Sequence, residues 1–454
     1  MSASSPITII GGGLAGCECA WQLAERGLSV VLWEMRPEKS TPAHSTGSLS
    51  ELVCSNSLRS DDPHHAAGLL KREMEAFGSL IIAAARETAV PAGSALAVDR
   101  HAFADRVTTQ LEGHPSIDIR RQELTKIPDG EVVIATGPLT SEAMSDRLEE
   151  LLGQESLYFY DAISPIVEAE SLDMEVLFAA SRYGKGGGDD YLNAPMSKEQ
   201  YLAFNADLVS ADVVVPRPFE KTLFFEGCLP IEEIARRGVE TLRFGPMKPI
   251  GLQAPNGERP WAVVQLRRED LAQSQYSLVG FQSRLTWGDQ RRIFRTIPGL
   301  EKAEFTRLGQ VHRNTFINSP NHLDRLYRVK GHPRIRLAGQ ITGVEGYLES
   351  AATGLIIALY QSADEDVEPL PDDTALGSLS RHLVDSDPKR FQPANVNYGL
   401  FPPLNVRASK RERRTLYAAR AQDSLRAWSN RAGLPVALDS SQPELPSTPA
   451  AAQA

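Results

Sequence analysis

Residues 7–16 read ITIIGGGLAG. Four β-forming residues run straight into a glycine-rich turn, and helical spacing of apolar residues follows from about Leu14 to Arg26. Gly27 ends that helix, and Ser29 to Trp33 form a second strand that stops at Glu34. Strand, turn, helix and strand in this order open a doubly wound parallel sheet. Gly11, Gly13 and Gly16 fill the key positions of G-x-G-x-x-G, with Gly12 between the first two. The first glycine permits the tight turn, the second brings backbone close to a pyrophosphate, and the third lets helix and strand touch. Leu14 and Ala15 then present unpaired N–H groups and the positive end of the helix dipole. Glu34 is placed to accept hydrogen bonds from ribose hydroxyls. The competing reading is a tight glycine turn with no ligand.

A second feature lies far along the chain. Residues 334–360 read RIRLAGQITGVEGYLESAATGLIIALY: a strand, a turn holding Gly339 and Gln340, and a helix starting near Gly346 and Tyr347. The N-terminus of such a helix points at a flavin ring and its ribityl chain, which favours FAD over NAD as the resident dinucleotide. Ala135-Thr136-Gly137 is a strand end common in two-dinucleotide-binding flavoproteins. No second G-x-G-x-x-G occurs, so NADH or NADPH, if used, binds elsewhere or transiently. A chain that spends both ends on one cofactor holds its middle as an insertion. The expected fold is therefore α/β: a Rossmann-like FAD-binding domain of the two-dinucleotide-binding flavoprotein type (residues 1–165 and 331–432), an inserted mixed α/β domain (166–330) and a disordered tail (433–454).

The length of 454 residues suits two or three domains, and a hydrophobic fraction of 42% supplies a sizeable core. No apolar run approaches the ~18 residues of a membrane helix. The N-terminus lacks a basic stretch followed by an apolar one, so a soluble, cytoplasmic protein with no membrane partner is expected. The four cysteines, Cys17, Cys19, Cys54 and Cys228, form no Cys-x-x-Cys pair, and the nine histidines lack ligand spacing. No metal site is expected. Cys17 and Cys19 fall on the first helix and read as small buried hydrophobes. A net charge of −10 argues against a uniformly basic surface but not against a local basic patch. The best basic run is Arg407, Lys410, Arg411, Arg413 and Arg414, followed by Tyr417 and Arg420; Arg291, Arg292 and Arg295 form a second. Either is an RNA-facing surface or a solvated helix face. Ser48 to Glu51 has capping-box spacing, Asp62-Pro63 reads as a helix start and Asp99 as an N-cap. The glycine-rich Arg182–Tyr191 segment is not a Walker loop; it reads as a mobile surface loop or a lid.

The segments ELVCSNSLRSD, FFEGCLPIEEIARRG, LRFGPMKPIGL, AVVQLRRED, LVGFQSRLTWGDQRRIFRTIPGLE, QVHRNTFINSP and NVNYGLFPPL resemble the TrmFO family, folate- and FAD-dependent tRNA (uracil-5-)-methyltransferases. The resemblance runs from about Ile7 to Arg431. The glycine motif and the AGQ segment are shared with GidA-type tRNA-modifying flavoproteins, which carry a longer helical C-terminal region. The resemblance implies that a methylene group passes from 5,10-methylenetetrahydrofolate to carbon 5 of the T-loop uridine of tRNA, giving 5-methyluridine. FADH2 then supplies hydride, and NADH or NADPH regenerates it.

The residues suit that chemistry. Uracil carbon 5 is a poor nucleophile until a thiolate adds at carbon 6, and a cysteine adds and leaves readily. The family's cysteine pair maps onto Cys54 and Cys228. Cys54 lies among Ser55, Asn56, Ser57 and Arg59, where a cation favours thiolate; Cys228 precedes an expected helix, whose N-terminus lowers a thiol pKa. His312 matches the histidine expected to stack on the folate ring, and Arg313 and Asn314 are candidates for its polar groups. Tyr183, Tyr191 and Phe225 are candidates for stacking on an extruded base. Three alternatives stay open: the same chemistry on ribosomal RNA, an FAD-dependent oxidoreductase of small molecules, and a non-catalytic flavin-dependent RNA-binding protein.

Overall fold

The computed structural model describes residues 5–41, 43–153, 157–162, 164–214, 229–255, 257, 259–309, 311–363 and 367–437, with backbone alone for 157–162, 311–315 and 410. Strand Ile7–Ile10 lies inside a six-stranded sheet, parallel to Val30–Trp33 on one side (Ile7 opposite Val30) and to Val132–Ile134 on the other (Thr8 opposite Val132). Ile117–Arg120 extends the first side and His332–Leu337 the second; the short strand Arg328–Val329 closes the far edge as an antiparallel hairpin. Parallel strands covered on both faces read as unbroken apolar runs, as ITII, VVLW and VVI do here.

Helix Leu14–Glu25 packs on helix Tyr347–Ser362, joining the two ends of the chain. A Cβ on Gly354 would sit 2.1 Å from the Ala15 carbonyl oxygen, so only glycine lets these backbones touch. Thirteen consecutive residues of the second helix, Leu348 to Tyr360, are buried. At about 1.5–3 kcal/mol for each large apolar side chain removed from water, this helix is a main prop of the first domain.

The middle of the chain builds a second core. Its sheet is antiparallel, in the order Phe178–Ala179, Tyr191–Met196, Ala262–Arg268, Gln275–Leu278, Ile166–Glu168, Phe305–Arg307. Tyr201, Phe204, Phe281 and Phe294 pack beneath it. Leu157–Ala162 and Val311–Phe316 pair antiparallel where the chain enters and leaves this domain.

Several local expectations shift. Phe316, Ile317, Leu323, Tyr327 and Val329 pack in the first core, so the chain returns there before residue 331. Ser48–Glu51 forms no helix: Glu51 instead accepts hydrogen bonds from Ser45 and Thr46 and pairs with Arg36. The helix expected at Asp62-Pro63 begins at Ala66, because Asp62 spends its carboxylate on the His64 N–H in a turn. Asp99 does cap the helix Arg100–Glu112. At the C-terminus, Leu434 is buried and the Ala437 N–H donates to the Ala76 carbonyl, so residues 433–437 of the expected tail are docked; 438–454 lie outside the described residues. Among the described residues no helix is long and apolar enough to cross a membrane.

Candidate functional site

The two glycine-rich ends meet in one cleft, partly open to solvent. Gly11, Gly12, Gly13, Leu14, Ala15 and Glu34 line it from the first strands, Ala135 to Gly137 from the third, and Gly339, Gln340 and Tyr347 from the return segment. Gly16 and Gly346 shape it from behind. A Cβ on Gly16 would lie 1.9 Å from the Gly11 oxygen, so this glycine sets how close the helix comes to the strand. Gly346, at φ 110°, is the N-cap of helix Tyr347–Ser362.

The lining fits a dinucleotide flavin. Gly13 caps the first helix without a side-chain hydrogen bond, and a Cβ there would meet no protein atom within 4 Å. Bare N–H groups therefore face open space, as a pyrophosphate requires. Helix Tyr347–Ser362 also begins without a side-chain cap. Glu34 is buried, which by itself raises a carboxyl pKa. Arg36 and the N–H groups of Arg36 and Gly12 outweigh that and hold it below its ordinary value. The Gly12 N–H donates to Oε2 (2.8 Å), and Arg36 donates twice to Oε1 (3.0 and 2.9 Å). Glu34 thus stays ionised, with lone-pair capacity for a ribose hydroxyl.

Cys54, half-buried, directly follows Val53, which lines this cleft. Its N–H donates to the Tyr347 hydroxyl at 2.6 Å, and that of Ser55 to the same oxygen at 3.2 Å. Burial pushes the Tyr347 phenol up, so it is a neutral partner. From the inserted domain, Arg307 donates to the carbonyls of Val53 (2.9 Å) and Cys54 (3.1 Å), and Arg267 to Ser55 Oγ (2.8 Å). The cation beside Cys54 is therefore Arg307. Arg59, expected in that role, turns away to pair with the buried Glu349. Arg307 and Arg267 were missed in the sequence because strands more than 200 residues away deliver them. Arg36 was equally invisible, although it lies two residues past Glu34.

Cys17 and Cys19 are fully buried in the first helix; burial pushes the Cys17 thiol up to about 12 and raises Cys19 as well. Cys228 and Phe225 lie outside the described residues, two residues or more before helix Ile231–Arg236 and its N-cap Pro230. His312 and Arg313 fall on the connecting strand, with backbones opposite Asp161 and Tyr160. Arg407, Arg411 and Arg413 are exposed around the start of helix Lys410–Ala432, where Lys410 is described by backbone alone. Arg414 donates to His65 Nε2 at 2.9 Å, and Ser60 Oγ lies 2.8 Å from Nδ1. An arginine only donates, so His65 is neutral with its proton on Nδ1, in line with a pKa lowered by burial. This contact seats the basic run beside the segment that carries Cys54 and Arg59.

The family profile described as glucose inhibited division protein A matches residues 6–365. Proteins named methylenetetrahydrofolate--tRNA-(uracil-5-)-methyltransferase TrmFO match almost end to end. That of Geobacter sulfurreducens is 56% identical, covering 93% of this chain and 98% of the relative. That of Myxococcus xanthus is 53% identical, covering 95% and 96%. The chain belongs to the TrmFO family. Among solved structures, GidA of Aquifex aeolicus superimposes with a TM-score of 0.66 at 16% identity, covering 93% of this chain and 76% of that one. The chain thus shares the GidA fold over 93% of its length.

Proposed function

We propose that this protein methylates carbon 5 of the T-loop uridine in tRNA, with 5,10-methylenetetrahydrofolate as carbon donor and FAD, reduced by NADH or NADPH, as reductant. The observation that carries this reading is Cys54, hydrogen-bonded through its N–H to Tyr347 of a dinucleotide cleft, in a chain 53–56% identical to proteins of that name. FAD would lie along Gly11–Ala15, with its ribose on Glu34 and its ring toward Gly339, Gln340 and Tyr347. When bound and reduced, it supplies the hydride that turns the transferred methylene into methyl.

The protein's own groups prepare the base. The Cys54 thiolate adds to uracil carbon 6, which loads electron density onto carbon 5 for attack on the methylene donor. Arg307 favours the thiolate and, together with Tyr347, fixes the backbone on both sides of it. Cys228 is the second thiol, assigned to removal of the carbon 5 proton. His312 and Arg313 are the candidates for holding folate, while Arg407, Lys410, Arg411, Arg413 and Arg414 are candidates for the RNA backbone.

Cys54→Ala and Cys228→Ala test the thiol chemistry. Each variant is expected to fold, to bind flavin and to make no 5-methyluridine. Normal product from both would overturn the mechanism.

A further inference from the structure

A second concave surface opens at the far end of the inserted sheet. Strands Tyr191–Met196 and Ala262–Arg268 run antiparallel, with Tyr191 opposite Arg267 at one end and Met196 opposite Ala262 at the other. Arg267 reaches Ser55, next to Cys54. Around Met196 the surface falls into an open groove of about 1030 Å³, lined by Lys198, Arg243, Arg259 and Trp261 among others. The Lys198 ammonium stands 5.1 Å from the Trp261 ring centre and the Arg243 guanidinium 4.0 Å from it. Phe244, beside Arg243, is 72% exposed, and Ile250 in the groove wall 58%. Glu240 pairs with Arg243 at 3.1 Å and offsets that one cation; Lys198 and Arg259 are exposed.

Five residues of strand at about 3.4 Å each separate the two ends by ~17 Å. A nicotinamide or a folate seated in the groove is therefore beyond reach of the flavin cleft, since reacting atoms must approach to about 3–3.5 Å. Only a substrate long enough to occupy both places uses the groove. Arg182 and Tyr183 lie along the strands between them. Arg182 donates to Gln265 at mid-strand (2.8 Å) and to the Lys248 and Ile250 carbonyls of the loop that forms the groove wall. Tyr183, 63% exposed, lies against Gly251, whose φ of +86° and lack of a side chain admit the ring.

We propose that this groove is a second RNA-binding site. It would seat phosphates on Lys198 and Arg259 and an unpaired base against the Arg243–Phe244 surface, ~17 Å or more from the uridine being methylated. Cations interleaved with aromatic faces are what single-stranded RNA requires, and Lys198 and Arg259 give the wall the sign a polyanion needs. This inference rests on the reading of the chain as a tRNA methyltransferase.

The test is the full-length flavoprotein with unmodified tRNA transcript, binding measured from 50 to 200 mM salt. Lys198→Glu with Arg259→Glu is expected to weaken binding roughly ten-fold and to flatten the log–log salt slope by about 1.4–1.8. KM for tRNA should rise, while kcat at saturating tRNA and NADPH reduction of the flavin without RNA stay unchanged. Arg120→Glu with Lys126→Glu, an equal charge reversal beginning on the edge strand of the first sheet, serves as reference. Wild-type affinity and slope in the groove variant, or a loss no larger than in the reference, would overturn the groove. A wild-type protein that does not bind tRNA at all would instead overturn the tRNA reading beneath it.

Discussion

Gly13→Ala separates folding from cofactor binding. Gly13 is in extended conformation (φ −80°, ψ −174°), which alanine adopts freely, and the added Cβ meets no protein atom within 4 Å. The unliganded variant should fold and gain about 0.4–1 kcal/mol, because alanine narrows the unfolded ensemble. The open space is where the pyrophosphate must approach, so the same carbon overpacks the bound state by about 1–3 kcal/mol. FAD affinity then falls about 5- to 150-fold. Thermal melts with and without FAD, beside a flavin titration, read both effects. FAD at 100 times the wild-type Kd stabilises the wild type by about 2.7 kcal/mol, but a variant weakened a hundred-fold by only about 0.4 kcal/mol. Gly16→Ala is the counter-example: its Cβ would lie 1.9 Å from the Gly11 oxygen, so the unliganded fold itself suffers. A Gly13→Ala protein with wild-type FAD affinity would refute the assignment of the cradle.

Arg307→Met removes the donor to the Val53 and Cys54 carbonyls. Turnover should drop sharply with flavin content retained, at a stability cost of about 1–3 kcal/mol; unchanged turnover would mean that Arg307 does not position Cys54. Lys71 is fully buried, and burial lowers its pKa from 10.5 to about 8, against the pull of Asp61 and Glu349. The unfolded chain keeps this proton up to about 10.5 and the folded one releases it near 8, so the contribution of Lys71 to stability grows between those values and is lost below them. Denaturant unfolding of Lys71→Met should lack that rise, and a wild-type-minus-variant difference that is flat from pH 7 to 10 would contradict it. With its pKa near 12, Cys17 should resist thiol reagents in the native state and react on unfolding; rapid native labelling there would show that the helix opens locally.

Legibility in the sequence followed the range of the physics. The opening strand, turn and helix were readable because glycine positions and apolar periodicity are local, and the Tyr347 helix because a long apolar run after a glycine turn has few other meanings. Arg36, Arg267 and Arg307 were not readable. A surface arginine and one buried against two carbonyls look alike until strands far apart in the chain are registered against each other. Glu51 shows the opposite error: Ser48–Glu51 has the spacing of a capping box, but the nearby cation Arg36 and the Ser45 and Thr46 N–H groups claim the carboxylate. The return to the first domain was placed too late because Phe316 to Val329 lacks a long periodic element, although its apolar residues pack in the first core.

The most direct test of the function is a single incubation. It contains the purified flavoprotein, unmodified tRNA transcript, methylenetetrahydrofolate labelled in its methylene carbon, and NADH with NADPH. The RNA is then digested and its nucleosides and fragments are analysed by mass spectrometry. Label in 5-methyluridine from the T-loop is the predicted result, and it fixes donor, reaction and target together. A flavin that is bound and reducible, with no label in tRNA, would contradict the account and direct attention first to ribosomal RNA and then to small-molecule oxidation.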